Sequence, residues 1–151
     1  VGHDKQNLHK LQALPWAERW LLLEAAAWLG LVRAALWLIP FRRIVTWMGL
    51  AQGESQPEAV PALAAQAAQV GWAVQAVARR TPWQSACLAQ ALAGSLMLRR
   101  RGLPGTLYLG VSKDAAGPEK LAAHAWLRCG DHILTGANGH ERFKVISTFK
   151  L

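Results

Sequence analysis

Strand periodicity is confined to the last third of this chain, and one cysteine-led helix joins that third to everything before it. From Trp16 to Arg80 the apolar residues recur at helical spacing. The helical pattern is broken at Pro40 and again across Leu50–Pro61 (LAQGESQPEAVP), a polar stretch with Gly53, Ser55, Pro57 and Pro61. After Gly102 the pattern changes. Thr106–Val111 (TLYLGV) is a short apolar strand, and Ala122–Cys129 (AAHAWLRC) alternates so that His124, Trp126 and Arg128 share one face. Gly130-Asp131 then predicts a two-residue hairpin into His132–Thr135, and Lys144–Phe149 (KVISTF) predicts a last strand. Helices first and strands later is an α+β pattern, with about four mostly antiparallel strands packed on the cysteine helix. At 151 residues, 52% apolar and with 8 tryptophans, the chain is long enough for one domain with a real core. Within residues 1–151 the expected parts are an apolar helical section (1–50), a linker (51–61) and a core (62–151).

The cysteine and the histidine carry the chemistry. Cys87 follows Ser85, a good N-cap for the run Leu88, Ala91, Leu92, Ser95, Leu96 and Leu98. A thiol in the first helical turn meets the positive end of the helix dipole, which favours the reactive thiolate. Arg99-Arg100-Arg101-Gly102 puts basic residues in the last turn and a glycine stop after it. Cysteine at a helix start with histidine on a nearby strand is the layout of a nucleophile and its base. Taken singly, each residue has a plainer reading, as a small buried hydrophobe and a hydrogen-bonded structural histidine. Cys129 alternates onto the face opposite His124 and reads as core. His132 and His140 lack partners at metal-ligand spacing, so neither a zinc site nor a cofactor is expected.

The formal charge of +8 points to an acidic partner: nucleic acid, membrane surface or acidic peptide. No nucleic-acid motif or aromatic–basic stripe accompanies it, so nucleic acid is not expected. Two cysteines make no disulfide scaffold and no signal-peptide pattern opens the sequence, which favours a reducing cytoplasm. Between Trp16 and Pro40, Glu18, Arg19, Glu24 and Arg33 leave uncharged runs of only eight residues (25–32 and 34–41). A bilayer needs about 20. The expectation is therefore a helix or helix pair buried in the protein or a partner, and not a membrane helix. A basic amphipathic surface helix is the alternative, because Arg42 and Arg43 follow at once. Trp20, Trp28, Trp37 and Trp47 are expected to pack between helices, and Arg99–Arg101 to form a solvated helix end or a dock for an acidic partner.

CLAQALAGSLMLRRRGLPGTLYLGV followed by AHAWLRCGD, with an apolar front half ending in IPFRR, resembles the transglutaminase-like leader peptidases of lasso-peptide biosynthesis (the B2 proteins). The resemblance covers nearly the whole chain. It implies a papain-like cysteine protease that removes the leader from a ribosomally made precursor. It also implies two partners beside that precursor: a small leader-recognition protein and an ATP-dependent macrocyclase. Cys87 would be the nucleophile, His124 the base, and the backbone N–H of Cys87 an oxyanion donor, with Trp83 or Gln84 as further candidates. The family places an acid toward the end of the strand after the histidine, where this chain has Thr135-Gly136-Ala137-Asn138. If Gly130-Asp131 is the hairpin turn, His124 pairs across from Ala137. Asp131 would then lie seven residues along, roughly 23 Å at strand rise. Asn138 is close to the pairing position and an asparagine can orient an imidazole, so it ranks ahead of Asp131 as third member. The missing acid also supports a second reading, a non-catalytic scaffold of the same fold that binds a peptide or partner. Acyl transfer to an amine instead of water shares the same thioester.

Overall fold

Prolines set the limits of the first helix. In the computed structural model, which describes residues 14–56, 61–81, 86–113 and 121–151, Pro15 occupies the N-cap position of α1 (Trp16–Leu38). Its carbonyl accepts the N–H groups of Glu18 and Arg19 at 3.0 and 3.2 Å. At the other end Ile39 precedes Pro40, a position where proline disfavours helical backbone, and it is extended (φ −131°, ψ 134°). The chain restarts as α2 (Phe41–Trp47) with Pro40 as its N-cap residue. α1 is one continuous helix, long and apolar enough by composition to cross a membrane. One side of it is buried, through Ala25, Leu29 and Val32 at three- and four-residue spacing.

α3 (Pro61–Ala78) starts with proline at its first position, where the missing N–H costs nothing. Its buried face is Ala67, Val70, Gly71, Ala73 and Val74, small residues that let it pack closely against α1, α4 and the sheet. α4 (Cys87–Arg100) is buried on most sides: Ala89, Ala91, Leu92, Ala93, Gly94, Ser95, Met97 and Leu98 are all inside. That is broader than the single apolar face read from its periodicity, because α4 lies between the sheet on one side and α1 and α3 on the other. Ser95 tolerates full burial by donating its hydroxyl to the Ala91 carbonyl at 2.8 Å. The helix ends as expected at Gly102 (φ 63°). Gly102 N–H bonds to the Arg99 carbonyl at 3.0 Å and Leu103 N–H to the Leu98 carbonyl at 3.0 Å, the paired bonds of a Schellman stop.

The sheet is antiparallel throughout and has the order β1–β5–β2–β3–β4. Its strands are β1 (Ala51–Gln52), β2 (Thr106–Lys113), β3 (Leu121–Cys129), β4 (His132–Thr135) and β5 (Lys144–Lys150). Gly130-Asp131 does form the two-residue turn, with Cys129 opposite His132. The fifth strand, β1, comes from the stretch read as a linker, whose residues 51–55 are tied to the sheet. Gly53 N–H bonds to the Thr148 carbonyl at 3.1 Å, and Ser55 bonds to the buried Thr106 hydroxyl through its N–H (2.9 Å) and its own hydroxyl (2.8 Å). Two strand-paired residues are too few for a periodicity signal to register. The arginines at the end of α4 are engaged as well. Arg101 holds both carboxylate oxygens of Glu24 on α1, at 3.1 and 2.6 Å, and Arg100 lies 3.6 Å from the same group.

The tryptophans depart most from expectation. Trp28 packs against the core, but Trp20 is exposed, as are Trp37 at 90% and Trp47 at 73%. Helical spacing marks a residue as apolar-faced. It does not show whether anything in the same chain covers that face.

Candidate functional site

β4 is shorter than β3, and the site lies where β4 stops. Only Leu127–Cys129 of β3 pair with β4, so the half of β3 that carries His124 has no regular neighbour on that side. A one-residue bulge at Leu127/Arg128 sets Leu127 opposite Thr135, where the simple hairpin register would give Leu134. Gly136 follows with φ 73°, and a Cβ there would run into the Ala125 carbonyl oxygen and Trp126. Only glycine fits that conformation in that space. The chain then turns through Ala137 and Asn138 beside the open end of β3.

A cleft of about 370 Å³ forms at this point. Cys87 and His124 both line it, together with Gly136, Ala137 and Asn138 from the turn, Gln75 and Ala78 from α3, Arg79 just past its end, and Gln90 from α4. The cysteine is partly exposed at the first residue of α4. The N-cap position is Ala86 and not Ser85, which lies outside the described residues. Among the described residues no side-chain cap bonds the first turn, and first-turn amides have no acceptor within the helix itself. The Cys87 N–H therefore belongs to a group of donors that the helix leaves unused. Trp83 and Gln84, the other oxyanion candidates, also lie outside the described residues.

The imidazole of His124 is held on three sides. Its ring lies 5.8 Å from that of Trp126 at 27° and 4.9 Å from that of Phe143, so its plane is fixed by packing. Trp126 in turn stacks on Tyr108 at 5.4 Å, and the Tyr108 hydroxyl accepts a 2.8 Å hydrogen bond from Arg128 Nε. This confirms the shared face read from the alternation of β3. Nε2 of His124 lies 2.8 Å from the main-chain oxygen of Gly136. A carbonyl oxygen can only accept, so in the neutral ring Nε2 carries the proton and Nδ1 keeps the free lone pair.

The two candidates for a third member fare differently. Asn138 lines the cleft but does not bond His124, because the bulge and the turn at Gly136 bring a main-chain carbonyl to the imidazole first. Asp131 is exposed in the hairpin turn at the opposite end of β3 and is not among the residues lining the cleft. The Gly136 carbonyl was missed in the sequence reading, which searched for a side chain. The only signal was positional, since Gly136 falls within the window where the family keeps its acid. Arg79 and Gln75 were read only as parts of a helix. Gln75 reaches across to donate to the Leu134 carbonyl at 2.6 Å, and it pins α3 to β4 at the wall of the cleft. Cys129 is buried, and burial pushes its thiol up from the ordinary range, as suits a core residue.

Residues 35–148 match the family described as the transglutaminase-like superfamily. The chain belongs to the transglutaminase-like superfamily. The match spans α2, α3, α4, β1 to β4 and most of β5, together with the end of α1, so it includes both Cys87 and His124. No curated protein and no solved structure matches the chain. A transglutaminase-like core is helices with a small antiparallel sheet, the architecture seen here, and the superfamily includes cysteine peptidases.

Proposed function

We propose that this protein is a cysteine peptidase that removes the leader from a ribosomally synthesised lasso-peptide precursor before macrocyclisation. The observation that carries this reading is the cleft shared by Cys87 and His124, with Nε2 of the histidine engaged by the Gly136 carbonyl and Nδ1 left as base. In the proposed reaction Nδ1 takes the Cys87 proton and Sγ attacks the scissile carbonyl carbon. The oxyanion is met by the Cys87 N–H at the start of α4. The imidazolium then protonates the leaving amine, which departs with the new N-terminus of the core peptide. Water, deprotonated by Nδ1, attacks the thioester and releases the leader as its carboxylate. The resemblance to leader peptidases supplies the substrate class and the two partners, a leader-recognition protein and an ATP-dependent macrocyclase, acting in the cytoplasm.

One observation favours a second reading. Among the described residues no carboxylate lines the cleft, so a scaffold that binds precursor or partner without cleaving it has support. Mass spectrometry of a cognate precursor, incubated with the leader-recognition protein and either wild type or Cys87→Ala, separates the two. The peptidase reading expects cleavage by wild type and a loss of about a thousandfold or more in the variant. Equal cleavage by the two proteins would overturn it. Binding of precursor by both, with cleavage by neither even when the macrocyclase is added, would establish the scaffold.

A further inference from the structure

α1 has two apolar sides, and the fold covers only one of them. Opposite the buried Ala25, Leu29 and Val32 runs a second stripe: Trp16, Trp20, Leu23, Leu31 and Leu38, at three- and four-residue spacing once Ala27 and Ala34 are included, with Trp37 on its flank. All of these are exposed, Leu31 at 61% and Leu38 at 75%, and no charged residue interrupts the stripe. A contiguous exposed apolar patch of this kind marks an interaction surface.

The charges around the stripe identify what covers it. Between Glu24 and Glu54 there is no acidic residue, and the charges in that interval are Arg33, Arg42 and Arg43, all exposed. Arg42 and Arg43 sit on α2 with the exposed Trp47, just past the Trp37 end of α1. A second copy of the chain presents the same arginines and, between Glu24 and Glu54, no carboxylate to answer them. A bilayer with anionic headgroups meets the same surface without conflict. Tryptophan rings sit at the headgroup level, leucines reach the acyl boundary, and guanidinium groups take phosphates. α1 does not have to leave the fold for this, since its inner side stays packed and Glu24 stays clasped by Arg101. We infer that the outer face of α1, with the arginines and Trp47 of α2, docks this protein in the plane of an anionic membrane surface.

Co-sedimentation of the full chain with vesicles tests this. The protein is expected to pellet with mixed phosphatidylglycerol–phosphatidylcholine vesicles and not with phosphatidylcholine alone, with a blue shift in tryptophan emission. Arg42→Gln with Arg43→Gln should weaken partitioning by about tenfold or more, since each basic residue near such a surface contributes about 1 kcal/mol. Trp37→Ser with Trp47→Ser should weaken it comparably and abolish the blue shift. These side chains are exposed, so unchanged thermal melts are expected for both variants. No pelleting with anionic vesicles would overturn the inference. So would pelleting that neither double variant changes, or a stable dimer in sedimentation velocity that Trp37→Ser with Trp47→Ser dissolves.

Discussion

A carbonyl can stand where a side chain was sought. His124 needs an acceptor for Nε2–H if Nδ1 is to work as a base, and Gly136 supplies one from its main chain at 2.8 Å. This gives the site residues distinct expected sensitivities. Asn138→Ala and Asp131→Ala should leave precursor cleavage within about twofold of wild type, since neither side chain bonds the imidazole. Gly136→Ala should both slow cleavage and cost about 1–2 kcal/mol of stability, because alanine is strained at φ 73° and its Cβ meets the Ala125 carbonyl. Single-turnover cleavage and urea denaturation of the three variants check this. A tenfold or larger loss in Asn138→Ala would return the orienting role to the amide. At this scale the sequence was legible for the placing of Cys87 at a helix start and His124 on a strand, which the fold brings to one cleft. It was not legible for Gly136, because a main-chain acceptor leaves no mark in residue identity. Its approach to His124 also depends on a bulge that alternation alone does not disclose.

Between elements, the joint that matters most is the clasp of Glu24 on α1 by Arg101 at the end of α4. The Arg101 hydrogen bond, aided by the charges of Arg101 and Arg100, holds the Glu24 carboxyl below the usual carboxylate range, against the opposing effect of burial. A carboxylate with a depressed folded pKa contributes stability above its unfolded pKa and loses it as pH falls through the folded value. Glu24→Gln should therefore destabilise the protein by about 1–2 kcal/mol near neutral pH, a modest figure for a pair that is partly open to solvent. The difference should shrink toward zero in acid. Denaturant midpoints for wild type and Glu24→Gln, compared at neutral pH and below the carboxylate range, read this directly. An unchanged gap in acid would sink it. Helix limits were legible because Pro15, Pro40, Pro61 and Gly102 act locally. The partner of Arg101 was not, since it lies 77 residues away and nothing local selects it.

At the scale of the molecule, one core joins the sheet, α4 and the helical front half, and Cys129 lies inside it while Cys87 sits at its border. Pulse alkylation across a urea gradient should therefore label Cys87 throughout and Cys129 only at the midpoint of global unfolding. Early labelling of Cys129 would mean that the sheet opens separately from the helices. The α+β architecture was legible because periodicity switches once, after Gly102. The strand order was not, because β5 inserts between β1 and β2, and pairings between Ala51 and Lys150 or between Leu107 and Phe149 follow from tertiary packing and not from local pattern. That order has a consequence for how the chain is made. On a ribosome, translated at about 5–20 residues per second, β1 emerges with no strand to pair with, and one edge of β2 stays open, until residues 144–150 have left the exit tunnel. Every hydrogen bond that β1 makes within the sheet waits for β5. The apolar helices are therefore already out while the sheet is still unfinished. That interval is when a trigger-type chaperone, or a nearby lipid surface, has its opportunity to act.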